Sequence, residues 1–196
     1  WSAGYLGMHW PSEYGGQGAD PSYQYIVDKE LAKHNAPIIF NTIGLNWVGP
    51  LLLDIGTDEE KAKYSKNRLS GEELWCQGCS EPDECSDLGA VQTRAVRDGD
   101  DYVVNGSKIW TTLGNYADHM ILLARTNPNT ERKYDGLSVF LSPMQIDAVE
   151  AHPIRKVPGE YGFNQTFFTD AKIPASCLMG EEGGGWMVAM KTLEYE

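Results

Sequence analysis

Apolar positions change their period once along this chain. Between residues 20 and 70 they recur every three or four residues, and from Glu73 onward they alternate. The first stretch predicts helices and the second predicts strands. Asp20-Pro21 starts a helix, with Asp as N-cap and Pro in the first turn. The pattern carries it to about His34, with Tyr23, Ile26, Val27 and Leu31 on its inner face. Pro37 interrupts. A second helical stretch runs from about Ile38 to Ile55, with a break expected near Gly49-Pro50, and Gly56 ends it. Thr57-Asp58-Glu59-Glu60 reads as a capping box for a third helix reaching about Leu69, whose Lys61, Lys63 and Lys66 face solvent.

Strands are expected at Leu74–Gly78, Val91–Arg97, Tyr102–Asn105, Lys108–Thr112, Met120–Arg125, Leu137–Leu141, Glu150–Arg155 and Gln165–Phe168. Asp98-Gly99 and Asn105-Gly106 both read as hairpin turns. Many short strands with tight turns imply an antiparallel sandwich or barrel. The polar segment from Asn127 to Tyr134 reads as a mobile loop. Gly180 to Gly185 reads as a hinge into a new helix near Trp186, with Trp186, Ala189, Met190 and Leu193 on one stripe. The expected fold class is α+β. A partial helical domain takes residues 1–71, opening on a Gly- and aromatic-rich loop to about residue 19, an antiparallel β-barrel or sandwich domain takes 72–183, and another helical element starts at 184–196.

Composition narrows the function. The net charge is −12, from 16 basic and 28 acidic residues, which argues against nucleic acid as a partner. No Lys/Arg run and no long apolar window appear, so membrane insertion is not expected. The start has neither an initiator Met nor a basic n-region, and the end stops within a helical pattern, so both ends read as interior to a longer protein. Cys76, Cys79, Cys85 and Cys177 lack the second close pair of a structural zinc site, and no metal is expected. They read as reduced thiols of an intracellular protein.

The candidate chemistry lies between Trp75 and Gly114. Glycines, Ser80 and Ser86 stand at one end, and a Trp110-x-Thr112 strand stands at the other. Hydroxyls suit the edge of a polar aromatic ring, an indole suits its face, and backbone N–H groups near Ser86 suit a phosphate tail.

These motifs, in their order, resemble the flavin-dependent acyl-CoA dehydrogenases. Pro11-x-Glu13-Tyr14-Gly15-Gly16-x-Gly18 is similar to the family's N-terminal loop. Ser80-Glu81-Pro82-x-x-x-Ser86-Asp87-Leu88 is similar to its flavin signature, and Asn105-Gly106-x-Lys108-x-Trp110-x-Thr112 to the signature that follows. Asp170-Ala171-x-Ile173-Pro174 and Gly180-Glu181-x-x-Gly184 are similar to its β-domain exit. The resemblance implies part of an N-terminal helical domain, a whole middle β domain and the first helix of a C-terminal bundle. It implies FAD as cofactor, an acyl-CoA as substrate, an electron-transfer protein as acceptor, a homo- or hetero-oligomer, and a cytoplasmic or mitochondrial-matrix location.

It also implies roles. Gln77, Gly78, Cys79, Ser80, Cys85, Ser86, Trp110, Thr111 and Thr112 would line FAD, with Ser80 at the ring edge, Thr112 near N5 and Trp110 beside the ring. Ser86 would also approach the acyl-CoA. Most members carry the catalytic carboxylate further into the C-terminal domain. In a minority it sits on that domain's first helix, and Glu196 falls at or near that position, sharing the apolar stripe. One departure stands out. Asp83-Glu84-Cys85 replaces small residues beside the expected pyrophosphate, and two carboxylates there would repel it. Alternative readings are a non-catalytic subunit of a heteromeric dehydrogenase, a monooxygenase or nitroalkane-type oxidase on the same fold, or a small metal module using Cys76, Cys79 and Cys85.

Overall fold

A computed structural model describes residues 2–37, 39–83 and 87–196, apart from the side chain of Lys66. The chain divides into two compact units, Trp1–Leu74 with Tyr195, and Trp75–Glu194 with Glu196.

In the helical unit, α1 spans Pro21–Lys33. Asp20 caps it by accepting a hydrogen bond from the Ser22 N–H at 2.9 Å, and Pro21 occupies the first turn. The expected inner face is not inside. Tyr23, Ile26 and Leu31 are exposed, and no residue of α1 is buried. The unit's core forms elsewhere, around Trp10, Leu45 and Leu69, with Leu6, Ile39 and Leu53 against it.

The expected break at Gly49-Pro50 is also absent. A π-helical turn at Gly44–Val48 runs directly into α2, Gly49–Ile55. The widened turn frees a carbonyl where proline has no N–H to offer, so Pro50 enters as a first-turn residue. A Cβ at Gly49 would lie 2.2 Å from the Trp10 ring, so the indole packs on bare backbone. The capping box expected before α3, Asp58–Ser70, forms as read: Thr57 Oγ1 accepts from the Glu60 N–H at 3.2 Å, and Glu60 Oε2 accepts from the Thr57 N–H at 2.7 Å. Gly71, left-handed at φ 78°, closes the helix, and Lys63 faces solvent.

Among the described residues the β unit holds eight strands: β1 Trp75–Gly78, β2 Arg94–Asp98, β3 Asp101–Thr112, β4 His119–Arg125, β5 Leu137–Pro143, β6 Val149–Arg155, β7 Tyr161–Pro174 and β8 Leu178–Met179. Their order is β6-β7-β3-β2-β4-β5-β8, with β1 on β4. The sheet is mixed: β1–β4 and β2–β4 pair in parallel and the rest antiparallel. Its core gathers Tyr102, Val104, Met120, Leu122, Phe140, Phe168 and Ile173, together with Cys76 and Cys177. Asp98-Gly99 is a true hairpin turn, since Asp98 pairs with Asp101. Asn105-Gly106 is not. The two strands expected on either side of it are one strand, and Gly106, at φ 149°, lies opposite a bulge of β7: between the Val104–Ala171 and Gly106–Phe168 pairs β7 holds one residue more than β3, and Asp170 there is at φ 50°. The Asn105 side chain bridges the lost ladder bond, donating to Asp170 Oδ1 at 3.0 Å and accepting from the Asp170 N–H at 2.9 Å.

The polar segment 127–134 is pinned rather than free. Arg125 donates to the carbonyls of Gly89, Val91 and Lys133, and Lys133 pairs with the Asp87 carboxylate. Tyr134 then packs on Trp186 with ring centroids 4.5 Å apart. Trp186 lies in α4, Gly185–Leu193. Its buried face is Gly185, Val188, Ala189 and Thr192, rotated from the expected stripe, and Leu193 is exposed. The reason is steric: a Cβ at Gly185 would sit 2.5 Å from Ser138 Cα, so the helix lays its smallest residue against β5. Among the described residues no helix is long and apolar enough to cross a membrane.

Candidate functional site

The last residue of β1 is pressed onto β4: a Cβ at Gly78 would meet Met120 Sδ at 2.1 Å. The chain then leaves the sheet as Cys79-Ser80-Glu81. Cys79 and Ser80 are half-buried and Glu81 is buried. Ser80 is drawn beside β3 by one backbone bond, from the Ile109 N–H to the Ser80 carbonyl at 2.9 Å. Under it lies an ion pair that motif and periodicity did not assign. Lys108 Nζ donates to Glu81 Oε1 at 2.8 Å and to the Cys79 carbonyl at 3.3 Å. Glu81 also accepts from the backbone N–H groups of Gln92 at 2.7 Å and Thr93 at 2.9 Å. Burial opposes ionisation of Glu81, but Lys108 and these N–H donors hold its carboxyl below the usual range. The signal was present: Tyr102, Val104 and Lys108 share the parity of the inward face of β3.

β3 carries a second irregularity between Lys108 and Thr111. Trp110 sits there at φ 60°, an unfavourable conformation for a bulky residue, and its indole is 51% exposed. Phe163 of β7 meets it edge-on at 6.1 Å. Thr112 follows, half-buried. Thr111 differs from its neighbours. It is wholly buried, its hydroxyl accepts from Thr166 at 3.3 Å, and its carbonyl accepts from Asn164 Nδ2 at 3.0 Å. Asn164, itself buried, thus holds the bulge that turns Trp110 outward. Simple alternation hides that role, because bulges shift the register.

The other candidates fall as follows. Gln77 is half-buried and donates to Cys79 Sγ at 3.4 Å, while Gly78 is buried. Burial pushes the Cys79 thiol up, opposed by Gln77 and Lys108 and reinforced by the negative charge of Glu196. Glu196 therefore lies within electrostatic reach of the β1 end. It is exposed and follows the end of α4, so it is not on the helix's apolar stripe. Cys85 and Ser86, with Glu84, lie outside the described residues. Asp83 is exposed, which lowers the electrostatic cost expected of it. Among the described residues no group of three metal-ligating side chains assembles.

Ser80, Trp110 and Thr112 thus all reach the surface of one unit, and the Ser80 segment is hydrogen-bonded to the strand bearing the other two. Among the described residues, neither the Ser80 nor the Thr112 hydroxyl has a side-chain partner. Two uncommitted hydroxyls beside an outward indole fit a flat ring with polar edges.

Residues 1–72 match the family model "Acyl-CoA dehydrogenase, N-terminal domain", and residues 76–173 match "Acyl-CoA dehydrogenase, middle domain". The chain belongs to the acyl-CoA dehydrogenase family. It is 38% identical over 195 residues to the acyl-CoA dehydrogenase IpdE1 of Mycobacterium tuberculosis, covering 100% of this chain and 50% of that protein. The solved structure of the "Tcur3481-Tcur3483 steroid ACAD" superposes with a TM-score of 0.89 at 39% identity, over 99% of this chain and 50% of that one. The ChsE4-ChsE5 complex from Mycobacterium tuberculosis superposes with a TM-score of 0.86 at 38% identity, over 99% and 49%. The chain spans about half the length of these relatives.

Proposed function

We propose that the full-length protein catalyses FAD-dependent α,β-dehydrogenation of an acyl-CoA thioester, and that this chain supplies one wall of the flavin site. The observation that carries this reading is the outward Trp110 indole, held by a strained bulge next to the uncommitted hydroxyls of Thr112 and Ser80. When bound, FAD supplies the hydride acceptor. Trp110 would cover the ring, Thr112 would donate near N5, and Ser80 would donate at the pyrimidine edge, where negative charge accumulates. Gln77, Gly78 and Cys79 would line the ring, and Cys85 and Ser86 the pyrophosphate, with Ser86 also facing the acyl-CoA. Glu196, near the end of β1, would take the α-proton of the thioester.

The likeness to a protein described as a steroid ACAD favours a bulky, polycyclic acyl group. The likeness to the ChsE4-ChsE5 complex favours a heteromeric assembly. Re-oxidation would fall to an electron-transfer protein, and a cytoplasmic setting suits that exchange. A second reading is a partner subunit that lends its wall without turnover, and the Asp83-Glu84-Cys85 replacement favours it.

The test is anaerobic mixing of the full-length protein with a steroid-side-chain CoA thioester. Bleaching of the flavin band is expected. Thr112→Val should slow it at least about tenfold while changing thioester affinity little. A full-length protein that retains no flavin would leave the second reading standing instead.

A further inference from the structure

We infer that Lys108 and Glu81 are positioning residues that set the spacing between the two ring-facing segments, Cys79-Ser80 and Trp110-Thr112. The inference rests on the flavin reading for its consequence, though not for its geometry. No strand ladder sets that spacing, since β1 pairs with β4 while β3 pairs with β2 and β7. Among the described residues, the Ile109–Ser80 backbone bond and the ion pair beneath it join the exit of β1 to the far half of β3.

That pair reaches three segments at once. Lys108, with 0% side-chain exposure, holds the Cys79 carbonyl on one side and Glu81 on the other. Glu81, with 6%, carries the link on to the Gln92 and Thr93 N–H groups ahead of β2. Thr93 in turn is the residue on which Gly106 rests, since a Cβ there would fall 2.5 Å from Thr93 Oγ1. The linkage therefore closes from β3 through Glu81 back to β3, with Ser80 caught inside it.

Stability alone is a poor reason for such a pair. Taking two charges out of water costs about what their attraction returns, and an apolar pair of similar volume commonly folds as well. An apolar pair would not fix a direction, however. An ammonium shared between a carboxylate and a carbonyl fixes where the Cys79-Ser80 peptide must lie relative to Trp110, and a misplacement of about 1 Å at a site can cost about a hundredfold in rate.

The experiment compares full-length wild type, Glu81→Gln, Lys108→Met and the double variant. The readouts are urea unfolding, FAD affinity by calorimetry, and amide exchange of the apoprotein at Ile109, Gln92 and Thr93. The double variant separates a positioning role from a merely structural one. We expect it to recover most of the stability that Lys108→Met loses. Its FAD affinity should stay at least about tenfold weaker, and exchange at Ile109 should be about tenfold faster than in wild type.

Recovery of affinity and Ile109 protection together with stability would overturn the inference. Should the double variant not fold, Glu81→Gln decides by the same two readouts, because it removes the charge without changing the shape. Wild type that binds no FAD would sink the flavin reading, and Ile109 exchange would still decide the inference.

Discussion

β3 breaks its ladder twice, and the two breaks serve different ends. At Val104–Gly106 the extra residue belongs to β7, where Asp170 at φ 50° is bonded through its N–H and its carboxylate to the Asn105 side chain, and Gly106 of β3 is wedged on Thr93. At Lys108–Thr111 it is a tryptophan in a left-handed conformation, half out in solvent, with Asn164 holding the carbonyl behind it. The first break uses a glycine and an aspartate, short residues that tolerate positive φ, so it stores little strain. The second uses a residue that does not, so its neighbours must hold it there. A break built from glycine and a hydrogen-bonded aspartate reads as architecture, and one built from an exposed indole reads as a site.

The sharpest way to break this contrast is Gly106→Val. A side chain at φ 149°, pressed on Thr93, should cost about 2–4 kcal/mol of stability by urea unfolding of the full-length protein. Trp110→Ala should do the reverse. Unfolding should move by no more than about 0.5 kcal/mol, because an exposed side chain is lost and some strain relieved. FAD affinity by titration should nonetheless fall about fivefold to tenfold, the worth of one aromatic contact. If Gly106→Val weakens FAD without destabilising, or Trp110→Ala destabilises without weakening FAD, the division of labour is wrong.

The smallest effect lies in pH. Glu81 ionises below its ordinary value of 4.5, so its contribution to stability is present above that value and is lost as the pH falls through the lowered one. Urea midpoints taken from about pH 6 to about pH 3 should therefore drop more steeply for wild type than for Glu81→Gln. Parallel slopes would mean that the carboxylate is not held ionised by Lys108.

Most of the fold was legible because local signals agreed with it. The Thr57–Glu60 capping box, the Asp20-Pro21 start and the Asp98-Gly99 turn each formed as read. The failures share a cause, which is that neighbours distant in sequence overrode a local motif. Asn105-Gly106 turns the chain in isolation, but Asp170 of β7 offered its side chain another partner. Gly49-Pro50 breaks a helix unless the turn before it widens. The α4 stripe rotated because Ser138 left room only for a glycine. At the site, Ser80, Trp110 and Thr112 were visible as residue types in order. Glu81, Lys108 and Asn164 were less so, since a buried charge or amide inside a motif looks like any other polar residue until its partners are in place.

The unequal placement of the tryptophans has a practical consequence. Trp10 and Trp75 are 1% and 2% exposed, so their emission is shielded from small aqueous quenchers, whereas Trp110 meets solvent directly. Acrylamide or iodide should therefore dim the site's own indole before either of these two. Trp47 and Trp186 are half-buried and would quench in between, so the quenching lost in Trp110→Ala isolates that surface's own signal without a label.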